Sequence, residues 1–348
     1  MRIINTALCS FGMSGKVFHA PFIHLNKGFN LYGVWERSQK AAAALYPSII
    51  SFNSLEDMLA DAAIDLVIVN TPNYTHYDFA KKALLADKHV VVEKSFTVTV
   101  SEAEELVTLA KEKNKKLSVF QNRRYDSDFK TVKKIADEGS LGKIVEAEFH
   151  FDRFNLNLSP KQHKETTNPG SGLLHDLGPH IIDQALYLFG MPQSVFGFLR
   201  TLRPLSVVND YIDMHLFYPG FTVRLKAGLI VKEIPPAYSL HGTHGSFVKY
   251  RADIQEDVLK SGKEPNSKDW GTEPLEASGI LNIIKDGETS RTKITSLQGN
   301  YMEFYDGIYE AIVHDKKLPV SAEDGLNVMK IIDAVQKSQE ARSIVSVL

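Results

Sequence analysis

The sequence predicts an α/β protein, with a doubly wound parallel sheet through about residue 120 and a second domain built on an antiparallel sheet after it. Three observations carry this. In the first third, short β-branched apolar runs alternate with helical apolar spacing. A glycine-rich turn, Ser10-Phe11-Gly12-Met13-Ser14-Gly15, directly follows the first of those runs. After Asp126 the alternation gives way to strand-like runs joined by short turns. At 348 residues the chain also exceeds what one hydrophobic core usually organises. The expected partition is residues 1–123 and 124–348.

Residues 3–9, 29–35, 49–52, 66–70, 89–93 and 117–120 read as strands, each short, β-branched and bounded by polar or turn residues. Residues 38–45, 54–60, 75–86 and 100–113 read as helices. Ser54 with Asp57, and Ser101 with Glu104, have the spacing of N-terminal caps, the second as a Ser-x-x-Glu box. Pro72 breaks the fourth strand, and Thr75 is placed to cap the helix that follows. Alternation of this kind implies right-handed crossovers, with ligands at the carboxyl ends of the strands. In the second domain, residues 126–138 read as a helix and 144–154 as a long strand. Residues 155–172 form a polar loop with His163 and Lys164, a candidate lid or substrate loop. Strands are expected at 195–202, 211–218, 221–231, 237–241 and 245–250, with a hairpin turn at Tyr218-Pro219-Gly220-Phe221. Residues 255–295 read as a polar excursion anchored by Trp270, and helices at 302–314 and 322–341 close the chain.

Composition narrows the function. A net charge of −2 gives no reason to expect a nucleic acid or an anionic membrane as partner. No apolar run reaches 18 residues, so no membrane-spanning helix is expected. The N-terminus enters strand-like sequence almost at once, which leaves no room for a signal peptide and points to a cytoplasmic protein. The single cysteine, Cys9, reads as small core filler, and no Cys/His cluster has metal-ligand spacing.

Three separated segments point to nicotinamide-dependent hydride transfer. Gly12 and Gly15 occupy the second and third positions of a Gly-x-Gly-x-x-Gly fingerprint, with Ser10 at the first. Gly12 would let a pyrophosphate approach the backbone, and Gly15 would allow close helix–strand packing. Glu36 lies about 20 residues beyond Gly15, the spacing of a ribose-reading acid. Arg37 and Ser38 could instead hold a 2′-phosphate, and this favours NADP(H) over NAD(H). Met13, Ser14, the loop Thr71-Pro72-Asn73 with His76, Glu93 and Asn122 complete the candidate cofactor site. His76 also reads as an ordinary polar residue at a helix end. Lys94 ends a strand buried on both faces, where packing needs no lysine and an unpartnered ammonium would be costly. Asp176 and His180, four apart at a helix start, would share one helix face. His180 is the natural proton carrier, with Asp176 fixing its tautomer or pairing with Lys94. Asp183 reads equally as a structural partner of a backbone group or an arginine. Arg124, Tyr125 and Arg153 are candidate substrate ligands beside Asp176 and His180.

These motifs resemble the Gfo/Idh/MocA oxidoreductase family. The resemblance rests on Gly12-x-x-Gly15, residues 86–94 ending Val90-Val91-Val92-Glu93-Lys94, and Asp176-Leu177-Gly178-Pro179-His180. Phe18-His19-Ala20-Pro21, residues 119–124 and His150-Phe151-Asp152-Arg153-Phe154 are similar to the branch that includes NADP-dependent scyllo-inositol dehydrogenases. The resemblance implies a Rossmann domain followed by a substrate-binding and oligomerisation domain on a large, mostly antiparallel sheet. It also implies a catalytic set at Lys94, Asp176 and His180, a polyol, cyclitol or sugar substrate, and a homodimer or homotetramer through the C-terminal sheet. The family's proline after the lysine is Ser95 here, and a non-proline cis bond costs roughly 2.5–4 kcal/mol, so a trans Lys94–Ser95 bond is expected. An NAD-assisted glycosidase and a non-catalytic NADP(H)-sensing regulator are the alternatives.

Overall fold

A computed structural model describes residues 2–36, 40–161 and 164–347. In chain order the first elements are β1 Ile4–Leu8, α1 Ala20–Leu25, β2 Phe29–Trp35, α2 Ala42–Leu45, β3 Ile50–Phe52, α3 Leu55–Ala60, β4 Leu66–Val69, α4 His76–Leu85, β5 His89–Glu93, α5 Val100–Glu112 and β6 Leu117–Phe120. The six strands pair in parallel in the order β3-β2-β1-β4-β5-β6. All four residues of β4, inside the sheet, are buried, as expected of a strand covered on both faces, and so are those of the edge strand β6, where Ser118 bridges to Ser321. The order reverses at β1/β4, and the glycine-rich turn leaves β1 there.

The chain continues through α6 Ser127–Glu138, β7 Ile144–His150, α7 Leu173–Asp176, α8 Gly178–Phe189, β8 Ser194–Arg200, β9 Tyr211–Tyr218, β10 Phe221–Gly228, β11 Tyr238–Gly242, β12 Gly245–Lys249, α9 Gln255–Lys260, β13 Gly279–Lys285, β14 Glu288–Ile294, α10 Met302–His314, α11 Ala322–Ala341 and β15 Val345–Ser346. Its nine strands run β14-β13-β12-β11-β7-β10-β9-β8-β15, antiparallel except where β7 meets β10. In β9 the side chains alternate. Ile212, Met214, Leu216 and Tyr218 are buried, whereas Tyr211, Asp213, His215 and Phe217 stay half-exposed. The expected α/β fold, with a parallel Rossmann sheet and a larger, mostly antiparallel one, is the fold observed.

The chain divides into two compact units. The first comprises Met1–Asn122, Gln255–Trp270 and Asn300–Leu326; the second comprises Arg123–Ile254, Gly271–Gly299 and Asn327–Leu348. In the first unit Trp270 is buried, donates from Nε1 to Gln255 Oε1 at 3.0 Å and meets the Phe22 ring edge-on. Phe22 in turn stacks on Tyr305 from α10 at 5.8 Å. Segments late in the sequence therefore complete the core around α1.

Several local expectations are corrected. The cap of α5 is Thr99, not Ser101: Thr99 Oγ1 accepts the N–H of Glu102, and Glu102 Oε2 accepts the N–H of Thr99. The Thr75 hydroxyl donates to the Pro72 carbonyl at 2.7 Å within a 3-10 turn, so it does not cap α4. Regular pairing of β7 ends at His150, although the N–H groups of Phe151, Arg153 and Asn155 still donate to Lys226, Gly228 and Leu229. Residues 255–295 hold α9 and the β13–β14 hairpin rather than a structureless excursion. Asp176 and His180 lie on two helices. Asp176 ends α7, and α8 starts afresh at Gly178 because Pro179 has no N–H to extend the first.

Candidate active site

In the first unit, the turn after β1 is held by Asn70, the residue following β4. The Ser10 N–H donates to Asn70 Oδ1 at 2.9 Å, Asn70 Nδ2 donates to the Ser10 carbonyl at 2.8 Å, and Ser10 Oγ donates to the Asn70 carbonyl at 2.9 Å. This two-way clamp fixes the turn at the position where the fingerprint usually has its first glycine. Asn70 was not singled out from sequence; the signal for it was an amide at the end of an otherwise apolar strand. Gly15 sits against the clamp: a Cβ there would lie 2.7 Å from the Ser10 carbonyl oxygen and 3.0 Å from Asn70 Nδ2. Beyond it, Gly15–His19 forms a single π-helical turn that leads into α1.

Gly12 faces open space, with no heavy atom within 4 Å of where its Cβ would sit. Beside it lies a cavity of about 280 Å³ lined by Ser10, Phe11, Lys16, Trp35, Glu36 and Thr71, with Pro72 and Tyr74 among its other walls. A cradle that one methyl would begin to fill, at the carboxyl ends of β1, β2 and β4, fits a dinucleotide pyrophosphate. Glu36 Oε1 and Oε2 accept the N–H groups of Ala41 and Ala42 at 3.0 and 3.2 Å. The carboxylate thus closes the start of α2 while also lining the cavity. Arg37 and Ser38, the candidate 2′-phosphate ligands, lie outside the described residues, as does His163.

The structure sets the other first-unit candidates around the ends of β4 and β5. Thr71 and Thr75 share a hydroxyl–hydroxyl bond at 2.6 Å. His76 is buried with Nε2 2.8 Å from the Thr71 carbonyl and Nδ1 2.8 Å from the Ser95 carbonyl. Burial lowers its pKa, partly offset by those carbonyls. His76 therefore ties the loop after β4 to the turn after β5, a larger role than a helix-end polar residue would have. The Lys94–Ser95 bond is cis, which corrects the expected trans geometry; Ser95 is buried, with its carbonyl facing His76 Nδ1. Ser14 Oγ donates to Glu93 Oε1, which joins the glycine-rich turn to the end of β5. Met13 is exposed, Asn73 opens the 3-10 turn, and Asn122 is buried just after β6.

In the second unit Arg124 is committed elsewhere than expected. Its Nε and Nη2 donate to Asp183 at 2.8 and 2.7 Å, and its guanidinium lies 4.3 Å from the Tyr187 ring centroid. The pair is almost wholly buried, so it holds α8 against the segment before α6 and leaves little of Arg124 for a ligand. His180 is buried in the first turn of α8, its ring 6.3 Å from Phe151. Arg153 lies over the same phenyl ring at 5.0 Å, which brings one expected substrate ligand to the ring that His180 meets. Tyr125 is half-buried in the turn before α6. Asp176 accepts from Lys164 at 2.8 Å, a partner supplied by the 155–172 loop. Among the described residues no cluster of three or more His, Cys, Asp or Glu side chains could hold a metal, and no helix is long and apolar enough to cross a membrane.

A Rossmann sheet with an open glycine cradle, followed by a large mostly antiparallel sheet, defines a two-domain nicotinamide oxidoreductase. The N-terminal part matches the oxidoreductase-family NAD-binding Rossmann fold over residues 4–121, and the C-terminal part matches that family's α/β domain over residues 133–347. The chain belongs to the Gfo/Idh/MocA oxidoreductase family and is an oxidoreductase with an NAD(P)-binding Rossmann domain. It is 40% identical to an uncharacterized oxidoreductase of Schizosaccharomyces pombe over 99% of each chain. It is 37% identical to the scyllo-inositol 2-dehydrogenase (NADP(+)) IolW of Bacillus subtilis over 98% of this chain and 95% of that one. The crystal structure of an oxidoreductase from Bacillus cereus superposes with a TM-score of 0.91 at 32% identity, covering 99% of this chain and 98% of that one.

Proposed function

We propose that the enzyme exchanges hydride with a secondary alcohol or ketone of a polyol, an inositol-like cyclitol or a sugar, using NADP(H) in preference to NAD(H). The observation that carries this is the open cradle at Gly12, in a chain similar end to end to an NADP(+)-dependent scyllo-inositol 2-dehydrogenase. Ser10, Gly12, Met13, Ser14 and Gly15 would hold the phosphates, with Thr71, Pro72, Asn73, His76, Glu93 and Asn122 toward the nicotinamide. When bound, the cofactor supplies or accepts the hydride. In the oxidative direction His180 takes the hydroxyl proton, and Lys94 stabilises the developing alkoxide charge. Asp176 orients the histidine, while Tyr125 and Arg153 recognise the hydroxyls. Replacing His180 with alanine should lower turnover by about 10²–10⁴-fold while NADPH binding survives. Near wild-type turnover on a confirmed substrate would refute the assignment.

Two further statements belong to this reading. Arg37 and Ser38 directly follow Glu36, which lines the cavity, and would supply a guanidinium fork and a hydroxyl for a 2′-phosphate. Fluorescence titration should then show NADPH binding more tightly than NADH, with most of the preference lost in Arg37→Ala; equal affinities in the wild type would restore Glu36 as the ribose ligand. The half-exposed face of β9, where Arg224 of β10 forks onto Asp213 at 2.7 and 2.9 Å, supports a homodimer or homotetramer packed through the large sheet. A monomer in light scattering at micromolar concentration would refute that.

A further inference from the structure

A chain of buried polar groups links the glycine-rich turn to α10. Ser14 Oγ donates to Glu93 Oε1, and His19 Nε2 lies 3.1 Å from the same oxygen. His19 Nδ1 lies 2.7 Å from the Tyr305 hydroxyl, which donates to the Phe18 carbonyl at 3.0 Å. The other Glu93 oxygen, Oε2, accepts the backbone N–H of Lys94 at 3.2 Å. His19 and Tyr305 are wholly buried.

The geometry orients each member of the chain. The Tyr305 hydroxyl lies within hydrogen-bond distance of both the Phe18 carbonyl and His19 Nδ1, and so fixes the plane of the imidazole. Glu93 Oε1 thus faces both the Ser14 hydroxyl and His19 Nε2. Burial raises the Glu93 pKa, but His19, Ser14 and Lys94 together outweigh it and hold the carboxyl at about 2. Packing alone does not call for this arrangement, since apolar side chains of similar volume would fill the space without desolvating charge. One carboxylate oxygen meets the Ser14 hydroxyl of the glycine-rich turn, and the other meets the backbone N–H of Lys94, the residue proposed to stabilise the alkoxide.

We propose that His19, backed by Tyr305, is a positioning residue: it fixes the Glu93 carboxylate, which holds the glycine-rich turn through Ser14 and the start of the Lys94 turn through its N–H. The turnover arm of the test rests on the reading of Lys94 as catalytic; the cofactor arm does not. In the first double-mutant cycle, NADPH affinity is read by fluorescence for Ser14→Ala, His19→Gln and the double variant. Each single change should weaken binding by about 5–10-fold, and the double variant should be within about twofold of the weaker single, because both act through one oxygen. Multiplying losses, or a Ser14→Ala protein with wild-type affinity, overturn the proposal. In the second cycle, His19→Gln should cost about tenfold in kcat in the wild-type background and less than about twofold when Lys94 is alanine. Equal costs in the two backgrounds would mean a merely structural role and overturn it. If His19→Gln does not fold, Tyr305→Phe removes only the hydroxyl and should reproduce both patterns at smaller size; additive losses there overturn the proposal. Full turnover in Lys94→Ala alone would remove the catalytic reading, and the NADPH cycle would still decide the role of His19.

Discussion

A Cβ on Gly15 would press on the Ser10 carbonyl and the Asn70 amide, whereas one on Gly12 would meet nothing within 4 Å. The two glycines of one turn are therefore needed for different reasons, and two substitutions separate them. Gly12→Ala should fold with wild-type stability and lose at least about tenfold in NADPH affinity, because its methyl projects into space that the pyrophosphate requires. Gly15→Ala should cost about 1–3 kcal/mol in urea unfolding, because the clamp between Ser10 and Asn70 has to move. Equal NADPH affinity in Gly12→Ala and the wild type would remove the cradle from the cofactor site. At this scale the glycine-rich turn was legible, since the structure places Gly12 and Gly15 after β1, with Gly12 at the cavity and Gly15 against the backbone. What was not legible depends on long-range partners. Arg124 reads as a ligand until Asp183 is seen to receive both arms of its fork, and His19 reads as part of a motif until Glu93 and Tyr305 flank it.

The helix ends show how near a local reading can come and still miss. Thr99 and Ser101 both stand three residues before a glutamate, and only the backbone decides between them. Thr99 is extended at φ −122° and ψ 158°, the conformation a cap requires, while Ser101 is already inside the helix. Thr99→Ala should therefore cost about 1 kcal/mol of stability, and Ser101→Ala should change it by less than about half that. The reverse order in urea unfolding would refute the assigned cap. The β13–β14 hairpin escaped sequence reading for a different reason. It is an edge pair whose strands are mostly exposed, so no apolar alternation marks it. Its one clear signal was Asp286-Gly287, both at positive φ (53° and 82°), the preferred chemistry of a two-residue hairpin turn. Central strands such as β5, with Val90, Val91 and Val92 fully enclosed, announce themselves because burial on both faces requires unbroken apolar sequence.

Across the whole molecule the chain is interlaced, since the first unit is completed by Gln255–Trp270 and Asn300–Leu326, which follow the strands β7–β12 of the second along the chain. That path predicts that the two units unfold together, and titrating histidines can report on it. His89 in the first unit and His175 in the second are held neutral by burial, each with a pKa of about 4, helped at His89 by the nearby positive charges of Lys115 and Arg2. His89 Nδ1 accepts the Lys116 N–H at 2.9 Å, which uses the lone pair that a proton would take, and His175 Nδ1 is buried without a hydrogen-bond partner. In the unfolded chain an imidazole titrates near 6.5. Because the folded pKa is depressed, the unfolded state takes up the extra proton first as pH falls. The stability from each neutral ring is thus complete above about pH 6.5 and is lost as pH falls toward 4. For the nearly buried His175 the loss is on the order of 3 kcal/mol. The urea midpoint should therefore drop between pH 7 and pH 4.5, and His175→Leu should flatten part of that drop. His89→Asn, which keeps an acceptor for Lys116, should flatten another part. If the units unfold as one, both variants will act on a single transition. Two transitions, each moved by only one variant, would show that the interlaced path does not couple them, and an unchanged pH slope in His175→Leu would show that its buried neutral ring is not the cause.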